Sequence, residues 1–340
     1  MNKKDKYEIA IVGATGAVGR RMVSTLEERN FPVACLTALA SSRSVGKTLL
    51  YRGKTIEVKE LKEDSFEEID IALFSAGSSI SKKYAPIAVE SGCVAIDNSS
   101  AWRMKKEVPL IIPEVNPSAL GKKWGIIANP NCSTIQMVVA LKPIHDRFRI
   151  RRVVVSTYQS VSGSGQKAVE ELEQQSKDIL EGKPAQSNVY PHQIAFNCIP
   201  HIDVFLENGY TKEEMKMVNE TQKILGDDTI EVSPTTVRVP VFYSHSEALN
   251  VETELPMKAD EVKDLLSLSP GISVVDNPEK SEYPQAIKAC GKTSVVVGRI
   301  RKDLNRTNAI NLWVVSDNLL KGAASNAVQI AELLLKRINS

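Results

Sequence analysis

The segment that most constrains the fold is a glycine-rich turn between an apolar strand and a helix, at residues 9–29. The apolar run ends at Gly13, the chain continues as GATGAVG, and a helical pattern begins at residue 17. Glycines let the backbone turn tightly beside a pyrophosphate, which the free N–H groups of the helix then bind. The spacing is GxxGxxG, so the pattern GxGxxG is only loosely met, and a plain strand-to-helix turn is the alternative. The candidate cofactor residues are Gly13, Thr15, Gly16, Ala17 and Val18.

The end of the second strand indicates which dinucleotide binds. An NAD site usually has a carboxylate there for the ribose 2′-hydroxyl. Here the strand continues into Ser41, Arg43 and Ser44, without a carboxylate. Hydroxyls and a guanidinium suit a 2′-phosphate, so NADP is favoured over NAD. The alternative is that these residues form a solvated surface loop.

Strand-like and helix-like segments alternate along the first third of the chain. Apolar runs recur at residues 33–39, 69–74 and 94–96, with a helix predicted at 79–90. Such alternation, with nearly continuous apolar strands, predicts a doubly wound parallel sheet buried on both faces.

The second half has longer β-rich segments. The sequence predicts strands at residues 152–161, 231–243, 248–254, 294–301 and 309–315. A polar helix is predicted at 167–180, and antiparallel pairing with one covered face is expected. A last helix from residue 319 is rich in alanine and is expected to pack against the first domain.

Charge and hydropathy exclude several functional classes. The 43 Lys and Arg residues nearly balance the 41 Asp and Glu residues, so neither nucleic acid nor an anionic membrane is expected as a partner. No apolar run reaches the ~20 residues of a membrane span, and no signal-peptide core follows the N-terminal lysines. A cytoplasmic location is therefore expected.

The five cysteines and four histidines do not form a metal-binding pattern. There is neither a CxxC pair nor HExxH spacing, so we expect reduced thiols and no protein-bound metal. Four cysteines, Cys35, Cys93, Cys198 and Cys290, sit among apolar residues, and we expect them to be buried and inert.

Cys132 differs because it lies in NPNCST, just before a helical pattern of apolar residues. At a helix start the dipole favours the thiolate, which could attack an aldehyde or an acyl phosphate. The base that would assist it is not fixed by spacing. His145, His192, His201 and His245 all stay candidates.

Several long segments together resemble bacterial aspartate-semialdehyde dehydrogenase. They are GATGAVG, NPNCST, STYQSVSG, EEMK, RVPVFYSHSE and SDNLLKGAA, in the family's order and over nearly the whole chain. The resemblance implies an α/β fold: a Rossmann-like NADP-binding domain, and a mixed α+β catalytic and dimerisation domain of the glyceraldehyde-phosphate-dehydrogenase kind. The implied domains are residues 1–131 plus the helix 319–340, and residues 132–318, in a homodimer.

The same resemblance implies a role for individual residues. Cys132 would form a thioester, His245 would act as acid and base, and Gln159 would orient the acyl group. Arg238 would hold the substrate carboxylate and Glu213 its ammonium. Phosphate would be bound by Arg103, Lys216 and Asn131. Ser162, Gly163 and Asn318 would complete the NADP site.

The implied reaction is the NADP-dependent reductive dephosphorylation of L-4-aspartyl phosphate to L-aspartate 4-semialdehyde. It would serve the biosynthesis of lysine, through diaminopimelate, and of threonine, methionine and isoleucine. Three alternatives remain: an N-acetyl-glutamyl-phosphate reductase, a glyceraldehyde-phosphate dehydrogenase-like enzyme, and a non-catalytic NADP-binding redox sensor. Glu213 and Lys216 could equally be a surface ion pair on a helix. Solvent-facing or structural roles are the ordinary alternatives for Arg103, Gln159 and Arg238.

Overall fold

The computed structural model describes residues 3–121 and 124–339. The chain forms two compact units. The first unit contains the residues through Asn131 together with those from Ala323 on, and the second contains Cys132–Gly322. The predicted domain limits at residues 1 and 340 lie outside the described residues.

The first unit is built on a seven-stranded sheet with strand order β3-β4-β2-β1-β5-β6-β7. All neighbouring strands are parallel except the antiparallel pair β3 and β4. Its elements are β1 (Tyr7–Val12), α1 (Ala17–Glu28), β2 (Val33–Ala40), β3 (Thr48–Tyr51), β4 (Lys54–Glu60), β5 (Ile71–Phe74), α2 (Ser78–Glu90), β6 (Val94–Asp97), β7 (Ile126–Ala128) and α8 (Ser325–Asn339).

Burial on both faces explains why these strands are nearly continuous apolar runs. Alternate residues of β1 enter two different cores. Ile9 and Ile11 pack with α1 and α8, whereas Ala10 and Val12 pack with α2. The parallel sheet is thus confirmed.

The β3–β4 hairpin was not predicted from the sequence. Its two-residue turn is Arg52-Gly53, and both residues have positive φ angles of 49° and 73°. Such a turn matches the right-handed twist of paired strands, but its usual signal is Asn-Gly or Asp-Gly.

The second unit holds a six-stranded mixed sheet with strand order β11-β12-β13-β10-β8-β9. Helices α3, α5 and α6 contact one face of this sheet. Its elements are α3 (Cys132–Phe148), β8 (Ile150–Gln159), α4 (Gln166–Leu180), α5 (Lys212–Leu225), β9 (Glu231–Arg238), β10 (His245–Thr253), α6 (Ala259–Ser267), β11 (Ile272–Val274), α7 (Ala286–Ala289), β12 (Val295–Lys302) and β13 (Ala309–Ser316).

Pairing in this sheet is only partly antiparallel, which corrects the expectation. Strands β8 and β9 are parallel, as are β11 and β12. The strand predicted at 231–243 ends at Arg238, because Pro240 has no N–H for the ladder. The strand predicted to reach residue 161 ends at Gln159, where a short 3₁₀ helix, Val161–Ser164, follows.

The C-terminal helix also differs from its prediction at residues 319–340. A π-helical turn spans Leu320–Ala324, and the α-helix begins only at Ser325. Leu319 to Gly322 belong to the second unit. Single π-helical turns are rare and often lie at functional sites.

Candidate active site

The strands of the second sheet bring the predicted site residues into one row. Gln159 at the end of β8 pairs with Arg238 at the end of β9, and His245 begins the antiparallel strand β10 beside Ser316. Ser246 pairs with Tyr158, which sets His245 next to Gln159. All four side chains are at least 95% buried on the face that α3 covers. We call Arg238, Gln159, His245 and Ser316 the catalytic row.

Cys132 is the first residue of α3 and is half-buried. Gln159 ties this helix start to the catalytic row, since its Nε2 donates to Ser133 Oγ over 2.6 Å. The π-helical turn packs against the thiol, because a Cβ at Gly322 would lie 2.8 Å from Cys132 Cβ. A glycine is therefore needed beside the candidate nucleophile.

His245 is fully buried, and its ring orientation is fixed by Ser160. The Ser160 backbone N–H donates to Nδ1 over 3.0 Å, and Ser160 Oγ lies 3.1 Å away. Since Nδ1 accepts, the ring hydrogen is on Nε2, which has no hydrogen-bond partner among the described residues. Burial, and then the Arg238 guanidinium, hold the pKa of His245 well below its usual value. His245 is thus neutral, with a free N–H to donate.

Arg238 is anchored at one nitrogen and open at another. Its Nη1 donates to the Ser160 carbonyl over 2.7 Å, and its guanidinium lies 5.8 Å from the Tyr190 ring centroid. Its buried Nε has no hydrogen-bond partner in the described part of the chain. A Cβ at Gly163 would lie 3.0 Å from Nη1 and 3.3 Å from His245 Nε2, so a side chain at this position would crowd both groups.

Glu213 and Lys216 lie one helical turn apart on α5. Glu213 is only 5% exposed and accepts from Gln159 Nε2 over 3.2 Å. Lys216 Nζ lies 3.0 Å from Glu213 and 2.8 Å from Asp203. Burial acts to lower the pKa of Lys216, but Glu213 and Asp203 raise it overall. This is a partly buried ion network joined to Gln159, not an isolated surface pair.

Arg103 and Asn131 lie in the first unit, and both are 7% exposed. Arg103 is not a solvated loop residue. Its Nε donates to the Asn129 carbonyl over 2.9 Å, and its Nη2 donates to the Asn98 carbonyl over 2.7 Å. These bonds fix the guanidinium at the ends of β6 and β7.

The glycine turn of the first unit has the predicted form. Gly13 has φ of 87°, and a Cβ there would lie 2.6 Å from the Ser75 carbonyl oxygen. Gly16 precedes α1, whose first turn has no acidic residue. Thr15 Oγ1 lies 3.3 Å from Ser44 Oγ, which brings the turn beside the end of β2. Ser41 and Arg43 are exposed there. A side chain at Gly13 would fill the turn, and the start of α1 carries no carboxylate that would repel an anion. The turn therefore suits a pyrophosphate.

Ser162, Gly163 and Asn318 lie in the second unit, around His245. Asn318 Oδ1 accepts from the Ser244 N–H over 2.9 Å and from the hydroxyls of Ser160 and Ser162 over 3.2 Å each. Asn318 therefore joins the segments on both sides of His245.

Sequence patterns did not identify several residues that contact the candidate site. Ser160 orients both His245 and Arg238, yet in the sequence it is only a serine between Gln159 and Ser162. Tyr190 and Asp203 were also missed, since each contacts the site from a distant segment, and the role of Ser133 beside Cys132 depends on Gln159, which lies on another strand. Only Gly322 had a local signal, as a glycine inside a helical pattern.

The expectation for the other cysteines was largely wrong. Cys93 is buried, and burial raises the pKa of its thiol to about 12. Cys35, Cys198 and Cys290 are exposed. Cys35 lies near the start of β2, where β4 does not yet pair with that strand, and the other two lie in loops.

Within residues 3–121 and 124–339, no three or more His, Cys, Asp or Glu side chains come together as they would around a metal ion. Across the described part of the chain, every helix is too short or too polar to span a lipid bilayer.

Comparison with known proteins covers both units. The family profile for the semialdehyde dehydrogenase NAD-binding domain matches residues 8–123, and the profile for the semialdehyde dehydrogenase dimerisation domain matches residues 141–321. The aspartate-semialdehyde dehydrogenase of Aquifex aeolicus (strain VF5) is 59% identical over 334 residues, 97% of this chain and 98% of that protein. The chain belongs to the aspartate-semialdehyde dehydrogenase family. It is therefore an oxidoreductase, and the resemblance is confirmed.

Solved structures of the aspartate-semialdehyde dehydrogenase family have the same fold. Aspartate semialdehyde dehydrogenase II from Vibrio cholerae, complexed with ASA, has a TM-score of 0.96 at 53% identity and covers 98% of this chain and 99% of that chain. The Candida albicans enzyme with NADP has a TM-score of 0.77 at 27% identity, covering 98% of this chain and 99% of that chain. The predicted fold class is confirmed.

Proposed function

We propose that this enzyme catalyses the NADP-dependent reductive dephosphorylation of L-4-aspartyl phosphate to L-aspartate 4-semialdehyde, reversibly, through a thioester on Cys132. One observation carries the proposal. Gln159, at the centre of the catalytic row, bonds to the start of the Cys132 helix and to Glu213, and pairs in register with Arg238. A nucleophile, an anion-binding group and a cation-binding group thus surround one position.

Arg238 and Glu213 would fix the two charged groups of the substrate. The unpartnered Nε of Arg238, with its second Nη, can bind a carboxylate by two parallel hydrogen bonds. Glu213 offers carboxylate charge for the α-ammonium. An N-acetylated substrate has no such ammonium, so Glu213 favours the aspartyl substrate over the acetylglutamyl one.

Cys132 would be the nucleophile. Its thiolate attacks the acyl carbon, a C–S bond forms, and the C–O bond to phosphate breaks. Bound NADPH supplies the hydride for the thioester carbon. The N–H groups at the start of α3 would stabilise the oxyanion.

His245 would manage the proton. Its Nε2–H has no hydrogen-bond partner among the described residues, so it would donate a hydrogen bond to the oxyanion formed on hydride addition. That bond would stabilise the negative charge until the C–S bond breaks and the aldehyde forms. A neutral ring with its hydrogen on Nε2, which burial favours, can donate this bond.

We assign phosphate binding to Arg103, Lys216 and Asn131. Lys216 already pairs with the carboxylates of Glu213 and Asp203, so we expect it to offset less of the phosphate charge than Arg103 does. The cofactor would be held by Gly13, Thr15, Gly16, Ala17 and Val18 in the turn, by Ser41, Arg43 and Ser44 at its edge, and by Ser162, Gly163 and Asn318.

The choice of NADP depends on Arg43, and a charge reversal tests it. In Arg43→Glu, loss of the guanidinium and gain of a ribose-binding carboxylate should lower kcat/KM for NADP relative to NAD by about 10–100-fold, as expected for charged hydrogen bonds. Steady-state kinetics with both cofactors measures this ratio. Lys54→Glu, an exposed change in the same unit, should leave the ratio within about twofold. An unchanged ratio in Arg43→Glu would place the 2′-phosphate elsewhere.

We further propose that the second unit forms a homodimer through the sheet face opposite α3. This face carries apolar side chains, among them Tyr158 and Trp313, whose ring centroids are 5.3 Å apart. The matched dimerisation domain supports a second copy as the occupant. Sedimentation equilibrium should give twice the chain mass, and a monomer mass would exclude this interface.

A role in biosynthesis of the aspartate-derived amino acids, in the cytoplasm, follows from the proposed reaction. None of the five cysteines forms a disulfide bond within the described residues, which suits a reducing compartment.

The proposed reaction is tested by NADPH formation from L-aspartate 4-semialdehyde, NADP and phosphate. Continuous turnover should require phosphate, and N-acetyl-glutamate semialdehyde should react at least about 100-fold less efficiently, because it lacks the ammonium. Preference for the acetylated substrate would favour the reductase alternative. NADP binding without turnover of either aldehyde would favour a redox sensor.

A further inference from the structure

A second row of polar side chains lies directly beneath the catalytic row. Thr236, Thr157 and Glu247 are neighbours on β9, β8 and β10, each two residues deeper in its strand than Arg238, Gln159 and His245. Side chains two residues apart on a strand share a face, so this row also faces α3. All three are fully buried.

Glu247 is the unusual member of this row. Neither of its carboxyl oxygens has a hydrogen bond of normal geometry within the described residues, although the Gln136 side chain lies near enough to interact with the carboxyl group. Burial raises its pKa well above the ordinary range, and only the Gln136 side chain acts against that increase. A charged, unpaired carboxylate would be very costly at this position, so Glu247 is a neutral acid.

Gln136 has matching properties on the opposite element. It lies in α3, one turn after Cys132, and is 1% exposed. Its Oε1 and Nε2 also have no hydrogen-bond partners in the part of the chain that the structure describes. A neutral carboxyl can donate its O–H to the amide oxygen and accept from the amide N–H, which would satisfy groups on both side chains.

We propose that Glu247 is a positioning residue that links β10 to α3 through Gln136 and so holds Cys132 at the correct distance from His245. Glu247 is two residues from His245, and Gln136 is four residues from Cys132. The link therefore spans the two elements that carry the nucleophile and the proton donor. The inference rests on the proposed function only in the roles of those two residues.

A pair of substitutions separates the link from simple packing. Glu247→Leu fills the space but cannot bond to Gln136, whereas Glu247→Gln keeps a neutral donor and acceptor. Since small misplacements of reacting groups cost up to about 100-fold, kcat should fall by about tenfold or more in Glu247→Leu. KM for the aldehyde and for NADP should stay within about twofold, and Glu247→Gln should recover kcat to within about threefold.

Three further variants complete the experiment. Gln136→Leu should reproduce the loss from the other side, and the double variant should lose no more than either single one. Leu249→Ala is the packing control, because Leu249 lies on the same face of β10 but farther from the site. It should lower the thermal midpoint and leave kcat nearly unchanged.

Native kcat in Glu247→Leu, or equal losses in Glu247→Gln and Glu247→Leu, would overturn the proposal. If Glu247→Leu does not fold, the kcat and KM of Gln136→Leu test the proposal in its place, and native kcat in that variant would overturn it. If the native enzyme does not oxidise L-aspartate 4-semialdehyde, the proposed function fails. The rate of Cys132 alkylation by iodoacetamide, slower in Glu247→Leu and restored in Glu247→Gln, then still tests the link.

Discussion

Replacing Cys132 with serine is expected to reduce phosphate-dependent NADPH formation on the order of 10⁴-fold or more, because the nucleophile of both half-reactions is lost. Serine differs little from cysteine in size, and the close contact with Gly322 is kept. The loss should appear in kcat, with cofactor binding unchanged by fluorescence titration.

The matched control is Cys35→Ser. Cys35 is exposed and belongs to the first unit, whereas the catalytic row belongs to the second, and its replacement should leave kcat within about twofold. Activity near the native level in Cys132→Ser would contradict a covalent mechanism through this thiol.

Arg238→Lys should lower kcat/KM for the aldehyde by about 100–1,000-fold. Lysine keeps the charge but loses the planar fork that would bind the carboxylate, and it cannot keep the bond to the Ser160 carbonyl at the same time. Because that carbonyl belongs to the residue that orients His245, kcat should fall as well as the affinity for substrate. Steady-state kinetics with the aldehyde as the varied substrate measures both.

Arg151→Lys is the control for this substitution. Arg151 is an exposed residue of β8, and its change should have no measurable effect on kcat/KM. If Arg238→Lys also left kcat/KM unchanged, the substrate carboxylate would have to bind at another cation.

The parts of the fold that were predicted correctly are those with local signals. The turn at Gly13 follows from a strand, three glycines and a helix that are adjacent in sequence. The strand predicted at 152–161 likewise has a local pattern, because Val153, Val155, Thr157 and Gln159 alternate along the sequence and form one buried face of β8. Neighbouring residues in the sequence do not determine which strand pairs with β8. The parallel pairing with β9 was missed for that reason.

The candidate site shows the same division. Cys132 at a helix start could be identified from its own segment, but spacing did not separate His245 from the other histidines. The structure separates them by position. His245 lies beside Gln159 in the catalytic row, whereas His145 near the end of α3 accepts from the Ile150 N–H and lies 3.7 Å from Asp227. The burial of Glu213 and Glu247 could not be predicted from the sequence either, because it depends on tertiary contacts.

Intact-protein mass spectrometry is the most direct test of whether Cys132 carries the acyl group. The enzyme is mixed with L-aspartate 4-semialdehyde and NADP without phosphate, then quenched in acid. We expect a burst of one NADPH per active site and a mass increase of one β-aspartyl group, located on Cys132 by peptide mapping and absent from Cys132→Ser. Turnover without any covalent adduct, or an adduct on another residue, would contradict it.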